Sequence, residues 1–409
     1  MHVLLIHQAF AGPNEPGGTR HWELASRALG KGHRFTVVAS DASYLTGRAA
    51  EAGEENATPG LRIVRVRTLR TLHRSFAWRV AAFLGFMVTS TVRALAVRKV
   101  DLVFGTSPPI FQAVSAWIAS SLKRVPFVLE IRDLWPEFAV DMGVLTNPAL
   151  VRLARWLEAF LYARADLLVV NSPAYRDYLL RRGIPGAKVR FVPNGVDASM
   201  FDPAARGEGL RREWGCDGKS VALYAGAIGP ANDIPTLLGA AEMLKDEPGI
   251  AFVLVGDGKD RPKLEEAARA KGLANVRFAG TLPKRRMPEA LAACDVGVAI
   301  LKDIPMFRTT YPNKVFDYMA AGRPTVLAID GVIRAVVEEA DGGTFVPPGN
   351  AAALAQAVKA MAADPARRAS MGASARAFVE SHFNRDDQAE LFVRSLEEAS
   401  NEYLAAVEE

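Results

Sequence analysis

The sequence predicts an α/β protein made of two successive doubly wound domains, each built on a parallel sheet. Three observations support this prediction. The chain has 409 residues, which is too long for one ordinary core and suits two. Apolar runs of strand length alternate with segments of helical periodicity from residue 2 to 192, and again from 221 to 329. The turn-forming sequence Pro193-Asn194-Gly195 separates the two series. Such alternation predicts that ligands bind beyond the carboxyl ends of the strands.

The first series begins with a predicted strand at residues 2–7. No small-residue cleavage site follows it, so we interpret it as part of the fold and not as a signal peptide, and we expect a cytoplasmic protein. Further strands are predicted at 35–40, 63–66, 102–105, 127–131, 167–171 and 189–192. Helices are predicted at 19–31, at about 75–97, at 109–123 and at 147–164.

The second series repeats this alternation around one helix. Pro312 suits the first turn of a helix because the N–H that it lacks would have no partner there, and Gly322 suits the left-handed residue that ends a helix. Strands are predicted at 221–225, 251–255, 276–278, 296–300 and 325–329. Further helices are predicted at 235–245, 261–271, 287–293 and about 385–405.

The charge of the chain is unevenly distributed. Residues 1–200 contain 25 basic and 15 acidic residues, whereas the remainder contains 25 and 30, so the net charge of +5 combines a basic half with an acidic one. A basic half favours an acidic partner, such as an anionic lipid surface or a diphosphate-bearing lipid. Nucleic acid is disfavoured because the sequence has no helix-turn-helix, zinc finger or aromatic-studded basic strand.

Several classes of site are also disfavoured. Cys216 and Cys294 are the two cysteines, which argues against a disulfide scaffold and a zinc site. The sequence lacks the Asp-x-Asp motif of metal-dependent transferases, the His-Glu-x-x-His motif of zinc proteases and the phosphate-binding loop of P-loop ATPases. We therefore expect no metal and no cofactor.

The start of the helix after Pro312 has the character of an anion site. Its unpaired amides, the positive end of its dipole and Lys314 all attract negative charge. Asp317 lies one turn further on nearly the same face as Asn313 and can accept two hydroxyl protons. This combination suits a diphosphate joined to a ribose. An ordinary amphipathic helix of an α/β domain is the alternative, and both interpretations stay open.

Glycine-rich loops follow the first strand of each half. The adjacent Gly17 and Gly18 lie in the sequence Pro-Asn-Glu-Pro-Gly-Gly-Thr-Arg-His and let the backbone approach a ligand closely, while Thr19 can cap the helix that follows. A flexible turn would have the same composition. In the second half, Gly226 and Gly229 follow the strand 221–225.

These residues resemble a known family. The run from Thr309 to Val326 resembles the glutamate-x7-glutamate region of retaining family-4 glycosyltransferases with the GT-B fold, in the variant Pro-Ser/Asn-Lys-x-Phe-Glu/Asp-Tyr-Met-Ala-Ala-Gly-x-Pro. Asp317 takes the second acidic position, which in that family holds the ribose. The chain departs from the family in having Thr309 at the first acidic position, and Ala227 and Asn232 where relatives have an Arg and a Lys beside the diphosphate.

The resemblance implies two Rossmann-like domains that face a cleft: an acceptor-binding domain at 1–198, a nucleotide-sugar domain at 199–383, and a return helix at 384–409 that crosses back to the first. It implies transfer, with retention and without a metal, from a nucleotide-diphosphate sugar to an acceptor hydroxyl. The implied donor-binding residues are Gly17, Gly18, Gly226, Gly229, Gly256, Asn313, Lys314 and Asp317. The implied acceptor-binding residues are Thr19, Arg20 and His21.

The sequence Glu-Ile-Arg-Asp-Leu-Trp-Pro-Glu from Glu130 follows a buried strand, so its charged side chains emerge at the carboxyl edge. Arg132 cannot act as a base because its pKa exceeds about 12. Asp133 is therefore the candidate to hold or polarise the acceptor hydroxyl, and Arg132 the candidate to bind an anion. An internal salt bridge is the alternative. Arg-Asp here resembles the branch that includes O-antigen N-acetylfucosamine and related hexosamine transferases.

The helix predicted at about 75–97 resembles a membrane-interface helix. Residues 80–92 are uncharged, which is fewer than the roughly 20 residues that a membrane span needs. Its flanks are basic, at His73, Arg74, Arg79, Arg93, Arg98 and Lys99. Basic flanks around an apolar centre favour a helix lying on an anionic membrane surface. A helix packed on the sheet is the alternative.

Taken as a whole, the sequence predicts a GT-B glycosyltransferase that uses a nucleotide-diphosphate sugar, with UDP-hexosamine as the expected type. The expected acceptor is a lipid-linked glycan or another hydroxyl compound, reached from the inner face of the cell membrane. In the expected mechanism Lys314 meets the charge of the leaving diphosphate. Two alternatives stay open: a sugar-nucleotide epimerase of the same fold, and a non-catalytic subunit of a glycosylation complex.

Overall fold

The computed structural model describes residues 1–15, 17–42, 53–69 and 76–408. Its described residues form two compact units. The N-terminal unit contains residues 1–11, 19–193 and 386–409, and the C-terminal unit contains residues 12–18 and 194–385. The predicted basic flank residues His73 and Arg74 and the predicted helix start at residue 75 lie outside the described residues.

An eight-stranded sheet forms the centre of the N-terminal unit. Its strands are β1 (His2–Ile6), β2 (Arg34–Ser40), β3 (Gly53–Thr58), β4 (Leu61–Val66), β5 (Leu102–Ser107), β6 (Phe127–Ile131), β7 (Leu167–Val170) and β8 (Val189–Phe191). They lie in the order β3-β4-β2-β1-β5-β6-β7-β8. All neighbouring pairs from β4 to β8 are parallel, as predicted. The central strands are almost wholly apolar because helices cover both faces of the sheet.

The edge strand β3 was not predicted. It pairs with β4 in the antiparallel direction, and the two strands are joined by Pro59 and Gly60. Gly60 has a φ of +88°, and a connection of two residues permits only an antiparallel hairpin. The sequence of β3, Gly-Glu-Glu-Asn-Ala-Thr, has little of the β-branched and aromatic character by which strands are recognised.

The helices of this unit cover the sheet in layers. They are α1 (Arg20–Leu29), α2 (Phe76–Ala96), α3 (Ile110–Lys123), α4 (Glu137–Asp141), α5 (Pro148–Arg164) and α6 (Pro173–Arg181). α2 packs along α3, and α3 packs against α5. The right-handed crossovers that lead from β4 through to β7 place these three helices on one face of the sheet. α4 and α6 were not predicted.

A six-stranded parallel sheet forms the centre of the C-terminal unit, in the order β11-β10-β9-β12-β13-β14. Its strands are β9 (Ser220–Ala225), β10 (Ile250–Val255), β11 (Val276–Gly280), β12 (Val296–Ile300), β13 (Thr325–Ala328) and β14 (Gly343–Phe345). Its helices are α7 (Glu208–Trp214), α8 (Ile234–Met243), α9 (Arg261–Ala270), α10 (Met287–Ala292), α11 (Asn313–Ala320), α12 (Val332–Glu339), α13 (Ala351–Ala363) and α14 (Pro365–His382). Apolar cores fill both faces of this sheet.

The last helix, α15 (Arg385–Glu408), returns to the first unit. Its side chains Phe392 and Leu396 lie in the same core as Leu24 of α1. The ring of Phe392 meets the ring of Phe104 in β5 edge to face, with centroids 5.3 Å apart. The burial of this apolar stripe is what attaches the C-terminal helix to the N-terminal sheet.

The apolar segment of α2 is longer than the uncharged run of residues 80–92 that the sequence argument used. The segment Trp78–Ala96 has 19 residues and a mean hydropathy of 1.3, so among the described residues α2 is the one helix long and apolar enough to cross a membrane. The uncharged run therefore understated the apolar length of the helix, because a segment that includes Arg79 and Arg93 is still apolar enough by length and composition. One face is nevertheless packed in the unit: Phe86 and Ser90 are fully buried, and the Ser90 hydroxyl donates to the hydroxyl of Ser115 in α3 at 3.0 Å.

Candidate active site

α11 begins beyond the carboxyl end of β12, where parallel sheets of this kind bind ligands. Pro312 is the residue before the helix and does not lie in its first turn, a correction of one residue to the prediction. Gly322, just after the helix, has a φ of +65° and ends it in the left-handed conformation, as expected. The approach to the helix is held by Asn194, whose side-chain amide donates to the carbonyl of Tyr311 at 2.7 Å.

Lys314 extends from α11 to the glycine loop that follows β9. Its ammonium lies 4.0 Å from the centre of the Tyr224 ring and 3.4 Å from Oδ1 of Asn232. A Cβ on Gly226 would lie 2.9 Å from the same nitrogen, so the absence of a side chain at this position makes room for the lysine. The Tyr224 hydroxyl holds the loop by donating to the carbonyl of Ala227 at 2.6 Å.

The charge of Lys314 has no counter-ion: among the described residues, no carboxylate pairs with it. Burial lowers its pKa to about 7, because taking the ammonium out of water penalises the charged form. An anion placed beside it would restore the charge. The ammonium of Lys314 thus lies beside the loop in which the resembled family has two cations, at the positions of Ala227 and Asn232.

The predicted donor-binding glycines have different surroundings. A Cβ on Gly256 would lie 1.8 Å from the carbonyl oxygen of Gly226. The absence of a side chain at Gly256 therefore allows the loop after β10 to contact the loop after β9. The amides of both glycines are used inside the protein, since Gly226 donates to Val255 at 2.9 Å and Gly256 to Gly280 at 2.7 Å. The prediction that both face a diphosphate therefore has no support in their hydrogen bonds. Gly229, by contrast, has no atom within 4 Å of its ideal Cβ and is open to a ligand.

Asp317 lies one turn after Asn313 on α11 and is partly exposed. Its two carboxylate oxygens both accept from the ammonium of Lys284, at 2.8 Å each. Lys284, which follows β11, is therefore the partner of the carboxylate to which the resemblance assigns the ribose. Asn313 is exposed at the start of the helix.

Two other basic residues of this unit, Arg308 and Arg285, are placed less favourably for a diphosphate. Arg308 pairs with Asp303 on the surface at 3.1 Å. Arg285 contacts the glycine-rich loop of residues 12–18 through its backbone, which donates to the carbonyl of Pro13 at 3.1 Å. Thr309, at the position of the missing acid, donates its hydroxyl to the carbonyl of Met306 at 2.6 Å. Lys314 is thus the predicted cation best placed for a diphosphate.

In the N-terminal glycine-rich loop, Gly17 has a φ of +140° and Gly18 has open space around its ideal Cβ. Thr19 precedes α1 but does not cap it with its side chain. Its hydroxyl donates to the carboxylate of Glu23 at 2.5 Å, because a glutamate one turn later competes with the backbone amides. The expected side-chain cap is therefore wrong.

Arg20 and His21 meet in the interior of the unit at Glu130 of β6. Arg20 Nε donates to one oxygen of Glu130 at 2.9 Å, and His21 Nε2 lies 2.5 Å from the other. Two further N–H groups of Arg20 donate to the carbonyls of Val192 and Pro193, at 2.7 Å each. Arg20, His21 and Glu130 are 5%, 4% and 0% exposed. Burial by itself raises the pKa of Glu130, but His21 and Arg20 hold that pKa far below its usual range.

This buried cluster corrects the predicted acceptor-binding roles of Arg20 and His21. Their donors are directed inward at Glu130 and at two carbonyls, so the structure gives them a positioning role. They hold the start of α1 against the ends of β6 and β8. The sequence analysis missed the cluster because Arg20 and Glu130 are separated by 110 positions.

Arg132 and Asp133 follow β6 and remain partly exposed. Arg132 donates from Nε to the Thr106 hydroxyl at 2.9 Å and from Nη2 to the carbonyl of Pro108 at 3.0 Å. Asp133 accepts from the Tyr175 hydroxyl at 3.4 Å. Burial raises the pKa of Asp133 to about 6, against the opposing effects of Arg132 and Tyr175. A carboxylate that titrates near neutrality suits proton transfer at an acceptor hydroxyl.

His7, after β1, was not singled out from the sequence. Its ring is 2% exposed and lies 4.4 Å from the ring of His21. Neither ring nitrogen has a hydrogen-bond partner among the residues that the structure describes. Burial, together with the positive charges of His21 and Arg132, lowers the pKa of His7 well below its usual value. The imidazole is therefore neutral at the edge of the sheet that holds Arg132.

No group of three or more His, Cys, Asp or Glu side chains that could hold a metal ion occurs in the part of the chain that the structure describes.

Both halves of the chain match known families. Residues 17–195 match the Glycosyl transferase 4-like domain, and residues 219–364 match the Glycosyl transferases group 1 family. The GDP-mannose-dependent alpha-mannosyltransferase of Mycobacterium tuberculosis is 29% identical over 78% of this chain and 76% of its own length. The putative colanic acid biosynthesis glycosyl transferase WcaI of Escherichia coli is 25% identical over 60% of this chain and 62% of its own.

The fold has close neighbours among solved structures. The Anabaena protein HepE in complex with UDP and glucose superimposes with a TM-score of 0.73 and 19% identity, over 97% of this chain and 99% of that one. At that identity the likeness establishes the fold, whereas the two family matches cover most of the sequence and establish the class of enzyme. The protein is therefore a glycosyltransferase with the GT-B fold, composed of a glycosyl transferase 4-like domain and a glycosyl transferases group 1 domain.

Proposed function

We propose that this glycosyltransferase moves a hexosamine from a UDP-sugar to a hydroxyl of a lipid-linked glycan precursor in cell-surface polysaccharide synthesis, with retention of the anomeric configuration. The observation that carries the proposal is the unpaired ammonium of Lys314 beside the loop after β9. The Arg132-Asp133 sequence, which resembles the hexosamine-transferase branch, supports the sugar. UDP in the HepE complex supports the nucleotide, and GDP is the competitor because one relative is GDP-mannose-dependent.

The donor half of the reaction needs positive charge where the diphosphate leaves. Lys314, the open backbone at Gly229 and the first turn of α11 meet this charge. A preorganised donor of this kind contributes about 2.7–4 kcal/mol to the stabilisation of a transition state. Because the pKa of Lys314 lies at about 7 before the anion arrives, donor binding is accompanied by proton uptake near neutral pH.

The ribose is assigned to Asp317, which accepts hydrogen bonds from both of its hydroxyls. Lys284 holds this carboxylate before the nucleotide binds, through its two contacts of 2.8 Å. It keeps the side chain oriented and neutralises it beside the incoming diphosphate.

On the acceptor side, the attacking hydroxyl donates a hydrogen bond to the Asp133 carboxylate, and Arg132 binds a nearby anionic group of the acceptor or donor. Two hydrogen bonds, to Thr106 and Pro108, hold the Arg132 side chain in place. A donor phosphate oxygen then takes the hydroxyl proton as the new bond forms. The reaction is proposed to need no metal, and transfer that continues in excess EDTA would agree with this.

The test is to incubate the purified enzyme with UDP-, GDP- and ADP-sugars and to measure the free nucleoside diphosphate and the sugar nucleotide that remain. We expect slow release of UDP from a UDP-hexosamine in the wild type. Lys314→Met should lower this rate by about 10²–10³-fold, the loss typical of one charge-stabilising donor, and should leave binding of uridine unchanged. Lys359→Met is the matched control, because Lys359 forms an exposed ion pair with Glu247 on the same unit.

Equal affinity of the wild type for UDP and uridine would show that Lys314 forms no anion site. An isomerised sugar nucleotide would identify an epimerase instead. The absence of both products with every donor would identify a non-catalytic subunit.

For the ribose assignment, we expect Asp317→Ala to weaken UDP binding by about 1.5–3 kcal/mol, the range for hydrogen bonds to a charged group. Calorimetric titration measures this change. Lys284→Met is the companion variant: it removes the ion pair and keeps the carboxylate, so it should weaken UDP binding much less. Equal losses in both variants would show that Asp317 acts through the ion pair and not through the ribose.

A further inference from the structure

The helical layer of the N-terminal unit has an apolar outer surface. α2 turns Leu84, Val88 and Val92 to the outside, with 39%, 58% and 67% of each residue exposed. These residues recur every four positions and lie on the side opposite Phe86 and Ser90, which are fully buried. α2 therefore has one apolar face in the core and a second apolar face without a partner in the described chain.

The same surface continues on α5. Leu150, Leu153 and Trp156 are 49%, 58% and 60% exposed. Trp156 stacks on Phe160 with ring centroids 5.6 Å apart, and Phe160 meets Trp117 of α3 edge to face at 4.8 Å. Since α3 also packs along α2, the two exposed rows belong to one layer of three helices. Most of the large apolar side chains that the described residues expose lie on this layer.

The charges of this layer identify its partner. Neither α2 nor α3 contains an acidic residue. The one acidic residue of α5, Glu158, is fully buried and accepts from Tyr162 and Arg182. The exposed basic residues on or beside the three helices are Arg98, Lys99, Arg124, Arg152, Arg155 and Arg164, of which Arg155 pairs with Glu137. Asp101 and Asp166 are the exposed acidic residues nearest the ends of these helices, so the cations are in the majority. An apolar surface bordered mainly by cations complements anionic lipid headgroups above an acyl layer.

The surface reaches the edge of the sheet where Asp133 lies. α2, α3 and α5 connect parallel strands, so each begins at the carboxyl edge. There Phe83 of α2 lies 6.4 Å from Phe111 of α3, and Phe111 lies 6.1 Å from Trp135, two residues after Asp133. A row of aromatic rings thus joins the apolar surface to the proposed acceptor site.

We propose that the outer surface of α2, α3 and α5, the α2–α5 face, docks on an anionic phospholipid bilayer with the helices lying in its interface. The packed face of α2 keeps the helix on the sheet, so it lies on the membrane and does not cross it. The part of this inference that concerns the acceptor rests on the proposed function. Docking brings the edge of the sheet that carries Asp133 to the lipid headgroups, where the enzyme reaches the hydroxyl of an acceptor whose lipid stays in the bilayer.

The test is co-sedimentation of the full chain with vesicles of phosphatidylcholine alone and with equal parts of phosphatidylglycerol. We expect binding to the anionic vesicles at low salt, release at high salt and extraction by alkaline carbonate. Val88→Gln with Val92→Gln, and Leu153→Gln with Trp156→Gln, should each weaken binding by about tenfold or more, because apolar area no longer enters the membrane. All four sites are exposed, so the fold is retained.

Met243→Gln with Leu404→Gln is the control, since these residues are 59% and 56% exposed but lie on α8 and α15. This variant should bind as the wild type does. The proposal is overturned if the wild-type protein does not bind anionic vesicles at low salt. It is also overturned if all variants bind these vesicles equally. If the wild type is a dimer without lipid and the α2 and α5 variants are monomers, the face is a subunit interface instead. Carbonate-resistant protein would show that α2 spans the membrane.

Release of UDP from a free donor is measured separately, without lipid. Activity without vesicle binding overturns the proposal that the α2–α5 face binds membranes and leaves the proposed function intact. Vesicle binding without activity supports membrane binding by this face and contradicts the proposed function.

Discussion

Asp133→Asn should lower the rate of sugar transfer to the acceptor by about 10²–10³-fold, the loss typical of one electrostatic contact that acts in the transition state. Asparagine keeps the shape and one acceptor oxygen but removes the negative charge that polarises the hydroxyl. Donor binding should not change, because Asp133 lies in the N-terminal unit and the proposed nucleotide site in the other. Initial rates with the acceptor and calorimetric titration with UDP measure the two effects.

The pH dependence gives a second readout. Since burial raises the pKa of Asp133 to about 6, the carboxylate is ionised above that pH and protonated below it. In the wild type, kcat/KM for the acceptor should therefore fall as the pH drops through about 6, and Asp133→Asn should lose this limb. Lys314 has a pKa of about 7, so kcat/KM for the donor should fall as the pH rises through about 7.

Asp141→Asn is the matched control, because Asp141 is exposed at the end of α4 in the same unit. It should transfer sugar at the wild-type rate. If Asp133→Asn transfers as fast as this control, Asp133 shapes its loop through Tyr175 and has no part in the reaction.

Glu130→Gln should destabilise the N-terminal unit by about 3–5 kcal/mol, the cost of leaving one partner of a buried ion pair uncompensated. The variant keeps the size of the side chain, so the effect comes from charge: Arg20 stays buried with no counter-ion at Nε. Urea unfolding followed by tryptophan fluorescence measures the change. Five of the six tryptophans lie in this unit, at Trp22, Trp78, Trp117, Trp135 and Trp156, so the signal reports mainly on it.

The effect should depend on pH in a definite direction. The pKa of Glu130 is lower in the folded protein than in the unfolded chain, so its carboxylate stabilises the fold above the unfolded pKa of about 4.3. As the pH falls below that value, the unfolded chain takes up a proton that the folded protein does not, and the advantage of wild type over Glu130→Gln should shrink. A difference that stays constant from pH 7 to 3.5 would contradict the assignment of the effect to charge.

Glu137→Gln serves as the comparison. Glu137 also pairs with an arginine, Arg155, but 47% of that side chain is exposed, so the variant should cost no more than about 1 kcal/mol. A similar cost for both variants would show that burial does not decide the value of these pairs.

Much of the fold was predictable because strands buried on both sides are apolar at successive positions. β6 and β12 agree with the sequence to the residue for this reason. In the C-terminal unit the sequence analysis also missed α7, α12, α13, α14 and β14. Two of the elements missed in the N-terminal unit have weaker patterns. β3 is polar, and α6 buries just Tyr175 and Leu179, one helical turn apart. Such short patterns do not separate a helix or an edge strand from a loop.

The residues of the candidate site likewise divide into those whose placement follows from local sequence and those whose placement depends on distant residues. That Lys314 and Asp317 lie on nearly one face of a helix follows from their spacing of three, which is a local property of the α-helix. That Lys314 enters the loop after β9 depends on Gly226 and Asn232, more than 80 positions away. The pairing of Asp317 with Lys284 spans 33 positions and was equally invisible.

For this protein the sequence by itself determined the two parallel sheets, the glycine-rich loops and the helix that carries Lys314 and Asp317, because these depend on apolar periodicity and on the conformational preferences of Pro and Gly over a few residues. The tertiary structure alone decided which charges are free and which are paired. Arg20 and His21 turned from expected ligands of the acceptor into partners of Glu130 because the order of the strands brings the start of α1 against β6. That order is set by contacts between distant segments, which no local pattern encodes.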